Sequence, residues 1–163
     1  MDETIILNWN NKVPHDAHIF ILGDFMFTGN IELIRNTLSR LNGFKHLIMG
    51  NHDYQNKFDR LSVRELFAST HDYLYINVED EEIGGNQGIF LCHYPMHVWN
   101  NSVRGSWQLF GHIHSGKLST SSEQYITSKL SPAQYDVGVD NNDFTPISYD
   151  EVKTIITKYY LRK

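Results

Sequence analysis

The 163-residue chain is 40% apolar and 13% aromatic, enough for one packed domain spanning 1–163, and at 20% charged it falls outside the disordered class. Its formal net charge of -5 excludes a general electrostatic grip on nucleic acid, so no stable nucleic-acid binding is expected. No apolar run approaches the roughly 20 residues of a membrane span. The single cysteine, Cys92, admits no internal disulfide and fits a reducing cytoplasm.

Residues 2–12 read as a helix, with Asp2 as cap and Ile5, Ile6, Trp9 and Val13 on one side. The same stretch is acidic and amide-rich, without leader character. HIFIL, 18–22, reads as a buried strand. Asn30 caps a helix whose Ile31, Ile34, Leu38 and Leu41 form one stripe, and Gly43 stops it. KHLIM, 45–49, gives a second strand, and 55–67 a helix with Phe58, Leu61, Leu66 and Phe67 as its apolar residues. DYLYINV, 72–78, and GIFLC, 88–92, form a hairpin across an acidic, Gly-rich turn. WQLF, 107–110, and YDVGV, 135–139, add strands, and the capping box Ser148-x-x-Glu151 opens a last helix at 149–160. Alternating strands and helices followed by antiparallel pairs predict an α/β fold with at least one mixed sheet.

Four of these strands run straight into metal-type polar residues. IFIL leads into Gly23-Asp24, HLIM into Gly50-Asn51-His52-Asp53, IFLC into His93, and QLF into Gly111-His112-Ile113-His114. Ligands of open α/β sheets sit beyond the carboxyl ends of strands, so four such ends point to one shared site. Glycine before the polar residues lets the backbone turn or approach closely. Carboxylate, amide oxygen and imidazole together suit Mn, Fe, Zn, Co or Ni, with no thiolate needed. Two such ions about 3.5–4 Å apart clamp the attacking and leaving oxygens of a phosphoryl transfer.

In this order G-D-F, G-N-H-D, H-Y-P and G-H-I-H resemble the calcineurin-like metallophosphoesterase family, from about residue 2 to about 156. LIMGNHD, CHYPMHVW and LFGHIHSG are most similar to its small bacterial and phage-type members. The resemblance implies a two-sheet sandwich with helices on both outer faces. It also implies a two-metal site that hydrolyses phosphate mono- or diesters, small molecules or nucleotides, with hydroxide held on the metal as nucleophile. By motif position, Asp24 matches the carboxylate bridging both ions. Asn51, His93 and His112 match the other ligands of one ion, and His114 a ligand of the second. His52 matches the histidine that contacts phosphate and protonates the leaving group, a role that suits imidazole near neutral pH. Asp53 orients His52 or caps the turn.

The family's earlier strand, ending in D-x-H, has no counterpart before Gly23-Asp24. Asp16-Ala17-His18 is the wrong pair. Six residues of strand separate His18 from Asp24, roughly 20 Å at the usual rise, against metal–ligand bonds of about 2 Å. The expectation is that this first strand is absent from the chain. One ion then binds well at Asp24, Asn51, His93 and His112. The other, left with Asp24 and His114, binds weakly or not at all, and activity is low. The rival expectation is a non-catalytic remnant that binds a metal or phosphate; a nuclease subunit is disfavoured by the acidic charge. Unpaired sheet edges invite homo-oligomers.

The bland reading covers the rest. His15, His18, His46 and His71 are read as structural or surface residues. His97 and Arg104 are candidate phosphate contacts whose default is a solvated surface. Cys92 points away from His93 as a core thiol. Tyr94, Trp99 and Trp107 are core or rim, and Glu79–Glu82 a charged turn. Gly23, Gly50 and Gly111 serve turn and site together.

Overall fold

Apolar runs pair in parallel wherever a helix carries the chain back across the sheet, and the N-terminal half is built this way. The computed structural model describes residues 3–58, 60–116 and 119–160; the expected cap Asp2 lies outside them. Helix α1 (Glu3–Lys12) precedes β1 (His18–Ile21), and α2 (Ile31–Ser39) connects β1 to β2 (Phe44–Ile48). Two short helices, α3 (Asn51–Gln55) and α4 (Leu61–Arg64), lead to β3 (Ser69–His71), completing a parallel sheet in the order β1-β2-β3. The second sheet has the order β4-β5-β6-β7. In it β4 (Tyr73–Asp80) pairs antiparallel with β5 (Gly85–Cys92), while β6 (Trp107–Phe110) and β7 (Gln134–Asp136) continue in parallel. Helix α5 (Ser121–Thr127) lies between β6 and β7, and α6 (Tyr149–Tyr160) follows. The fold is therefore α/β, with two sheets, one of them mixed, flanked by helices. No helix among the described residues is long and apolar enough to cross a membrane.

Two apolar cores hold these layers. One joins Ile6, Trp9 and Val13 to Ile34, Leu38 and Leu41, to Leu47 and to Phe58 and Phe67. The other joins Leu22, just after β1, and Ile48 of β2 to Ile89, Leu91 and Trp107 of the second sheet and to Val152 and Ile156 of α6. At the start of α2, the Asn30 side chain accepts from the N–H groups of Glu32 and Leu33, as its position in the sequence predicts. At the start of α6, Ser148 N–H donates to Glu151 Oε2 at 2.8 Å, and Glu151 N–H donates back to Ser148 Oγ.

Two local expectations are corrected. In place of one helix over 55–67, α3 ends at Gln55, the chain turns with Lys57 at φ +64, and α4 covers Leu61–Arg64. Helix α2 stops at Ser39 with Arg40 as cap, so Gly43 does not end it. At φ +83 Gly43 instead turns the chain into β2, where an added Cβ would stand 2.8 Å from the Ala17 carbonyl oxygen. β3 and α5 have no apolar run to announce them in the sequence, although Thr120-x-x-Glu123 is a capping box that closes on both sides.

Across the first sheet, from the start of β1 through the middle of β2 to β3, three histidines read as structural form a chain. His18 Nδ1 lies 2.8 Å from His46 Nε2, His46 Nδ1 2.7 Å from Ser69 Oγ, and that oxygen 2.9 Å from His71 Nε2. Phe20 stacks on His46. Burial first, then the neighbouring His18 and His71, push the His46 pKa below its ordinary value. The fold thus favours neutral His46, and the resulting stability is present above the unfolded value, near 6.5, and is lost as pH falls below that value and through the lower folded one. The thermal unfolding midpoint is expected to drop from about pH 7 to about pH 5, and less steeply in H46Q than in wild type. Parallel profiles for the two proteins would refute this.

Candidate metal centre

The parallel strands of both sheets deliver their C-terminal ends to one place. Gly23-Asp24 follows β1, Gly50-Asn51 follows β2, His93 follows β5 and Gly111-His112 follows β6. One bond ties the two sheets there: the buried His93 ring donates from Nδ1 to the Leu22 carbonyl oxygen at 2.7 Å. A carbonyl only accepts, so Nδ1 carries a proton, and in the neutral ring Nε2 keeps its lone pair. That Nε2 stands 3.1 Å from Asn51 Oδ1 and 3.5 Å from Asp24 Oδ2. One ligand atom each from Asp24, His93 and His112 lie within 4.8 Å of one another.

The centre is packed through glycine. A Cβ on Gly23 would stand 2.2 Å from His93 Nδ1, and one on Gly50 2.4 Å from Asp24 Oδ1. On Gly111 it would approach the Leu22 carbonyl oxygen to 3.1 Å. Asp24 itself sits at φ +55, a left-handed conformation that aspartate adopts more readily than most side chains. Its Oδ1 accepts from the His52 backbone N–H at 2.9 Å.

Beneath it, Asp53 is fully buried and accepts three backbone N–H groups: Asp24 at 2.7 Å, Phe25 at 3.0 Å and Gly50 at 2.8 Å. Burial raises its pKa from the ordinary value, the three N–H bonds oppose that rise, and the Asp24 charge adds to it. Asp53 therefore pins the β1 and β2 loops together. It does not orient His52, whose Nδ1 bonds Gln55 Oε1 at 3.0 Å.

Aromatic rings flank the cluster. Tyr94 packs edge-on against His93 and His112, and the exposed Phe27 against His52, with ring centroids 4.8 Å apart in the last pair. Burial, then His93, lower the His112 pKa, while Asp24 opposes the shift. His114 does not join the ligand atoms of Asp24, His93 and His112. Its Nδ1 instead lies 2.6 Å from Asp140 Oδ2, a bond that raises its pKa.

Of the predicted site residues, Asp24, Asn51, His93 and His112 converge, His52 adjoins them through its backbone, and His114 faces Asp140. His18 is at the opposite end of β1, bonded to His46. Arg104 is exposed and precedes β6, so the strand lies between it and His112. His97 is also exposed. Sequence reasoning missed Phe27 and Asp140, whose partners are set by tertiary contacts, and Gln55, whose spacing three residues from His52 on a helix was a local signal.

Over 160 residues the chain is 27% identical to an uncharacterized protein of Methanocaldococcus jannaschii, a similarity that covers 97% of this chain and 76% of that protein. No protein-family model matches the chain, and no solved structure matches it.

Proposed function

We propose that the chain is a metal-dependent phosphoester hydrolase of the calcineurin-like metallophosphoesterase kind, its two sheets forming that family's sandwich, at work in the reducing cytoplasm. One observation carries the reading. With the His93 ring neutral, its Nε2, the Asn51 carbonyl and the Asp24 carboxylate bring lone pairs together, with His112 beside them. A proton satisfies one pair of such atoms; a divalent cation satisfies all of them. Asp24, Asn51, His93 and His112 would hold it, a mixed oxygen–nitrogen set that suits Mn, Fe, Zn, Co or Ni. When bound, such an ion neutralises phosphoryl charge and lowers the pKa of water.

The chain's own residues supply the rest. His52 holds Nδ1–H on Gln55 Oε1, and in the doubly protonated ring its Nε2–H can pass to a departing ester oxygen. Asp53 holds the Asp24 loop in place through Asp24 N–H and Phe25 N–H. Calorimetric titration with Mn, beside Mn-dependent hydrolysis of a generic phosphodiester, tests the reading. One tight ion, a second weaker one and slow Mn-dependent turnover are expected. Two equally tight ions would overturn the uneven occupancy, and no bound ion would overturn the metal centre.

A second reading, a non-catalytic metal- or phosphate-binding domain, is favoured by one observation: His114 stands apart from the other ligand atoms, bonded to Asp140. Tight Mn binding without turnover would select it.

A further inference from the structure

Three histidines around the centre share one arrangement. Nδ1 of His93 is held by the Leu22 carbonyl at 2.7 Å, Nδ1 of His52 by Gln55 Oε1 at 3.0 Å, and Nδ1 of His114 by Asp140 Oδ2 at 2.6 Å. Each acceptor fixes the proton on Nδ1 and leaves Nε2 as the free ring nitrogen. In His93 that nitrogen is the one aimed at Asp24 and Asn51. We infer that Asp140 is a positioning residue for His114, fixing its tautomer and ring so that Nε2 is offered to a second divalent cation beside Asp24. The inference rests on the reading of this site as a divalent-cation centre.

The surroundings of His114 are built to hold one residue. Its backbone N–H donates to Glu123 Oε1 at 3.1 Å, and Glu123 is itself locked by Thr120 at the start of α5. The next residue, Ser115, donates from both N and Oγ to Asp136 Oδ2, at 3.1 and 2.6 Å. Asp136 Oδ1 accepts from Gly138 N–H at 2.9 Å, and the Asp136 carbonyl accepts from Asn141 Nδ2 at 3.0 Å, bracing the turn that carries Asp140. So α5 holds the backbone of His114 while the loop after β7 holds its ring. The His114 side chain is nevertheless 62% exposed. An exposed histidine gripped from two directions by carboxylates is over-determined for a surface residue. A carboxylate on the far ring nitrogen is what orients an imidazole ligand and raises its basicity toward a cation.

The test is Mn titration of the whole chain, followed by calorimetry and by Mn paramagnetic resonance, for wild type, H114A, D140A, D140N and the double variant D140A/H114A. D140A is expected to weaken the second, weaker Mn step about 10–100-fold, the usual effect of losing such a partner, and to leave the tighter step unchanged. D140N, which retains an acceptor oxygen for Nδ1, should recover much of that loss. Because Asp140 acts through His114, D140A should cost nothing further in the H114A background. A loss that persists in that background overturns the inference. So does an equal loss in S115A, which loosens the Asp136 brace without touching the His114 ring. A wild-type chain that binds a single ion, unaffected by H114A, overturns the roles of both His114 and Asp140 while leaving the Asp24 centre standing. A chain that binds no Mn overturns the metal reading itself.

Discussion

Asp24→Asn is expected to lower Mn-dependent phosphodiester hydrolysis by about 10³-fold, equivalent to roughly 4 kcal/mol of transition-state stabilisation, and to abolish the tight Mn step. Asparagine is the informative replacement. It has the same shape, tolerates the left-handed backbone that Asp24 adopts at φ +55, and keeps an oxygen for the His52 N–H at 2.9 Å. What it removes is the negative charge beside His93 Nε2, among the described residues the only carboxylate whose oxygen converges there with the ligand atoms of His93 and His112. The fold should survive, and the melting midpoint should hold or rise, since a partly buried charge has been removed. Asp16→Asn is the matched control: Asp16 is exposed and precedes β1, a strand's length from the centre, so its metal binding and turnover should equal wild type. Turnover retained in D24N, or lost in D16N, would remove Asp24 from the chemistry.

That contrast also marks what the chain's letters disclose. Period and length place β1, β2, β5 and β6, and strand rise alone assigns Asp16 and His18 to the wrong end of β1. Caps are local, so Asn30 and Ser148-x-x-Glu151 are readable where they stand. The start of α3 is local too, yet it is hidden. Asn51, His52 and Asp53 read as a polar loop, but they form the first turn of a helix because the Asp53 carboxylate takes the Gly50 N–H. Three-residue strands such as Ser69–His71 have no apolar run and exist only because a longer neighbour pairs with them. The site follows the same division. Its ligands stand next to apolar strands and can be listed from sequence. The acceptors that set each imidazole — the Leu22 carbonyl for His93, Asp140 for His114 — lie 71 and 26 residues away and are fixed only by the topology.

Asp53→Ala should be the most damaging single change to stability. The Asp53 side chain has no solvent exposure, and its two oxygens take three N–H groups from the loops after β1 and β2. Alanine leaves all three donors without a partner, at about 1–3 kcal/mol for each that water cannot reach. Allowing for partial hydration of the cavity, the loss in urea unfolding is expected to be about 3–5 kcal/mol. Asp53→Asn should lose less, about 1–3 kcal/mol, because one amide oxygen still accepts while the NH₂ faces an N–H donor. Metal binding should fall along with stability in both, since the released Asp24 and Gly50 N–H groups are what hold the Asp24 carboxylate against His93. In D24N the two quantities part company; in D53A they move together. A D53A protein within about 1 kcal/mol of wild type would mean that water replaces the carboxylate, and that the two loops are held by the Leu22–His93 bond and the glycine packing instead.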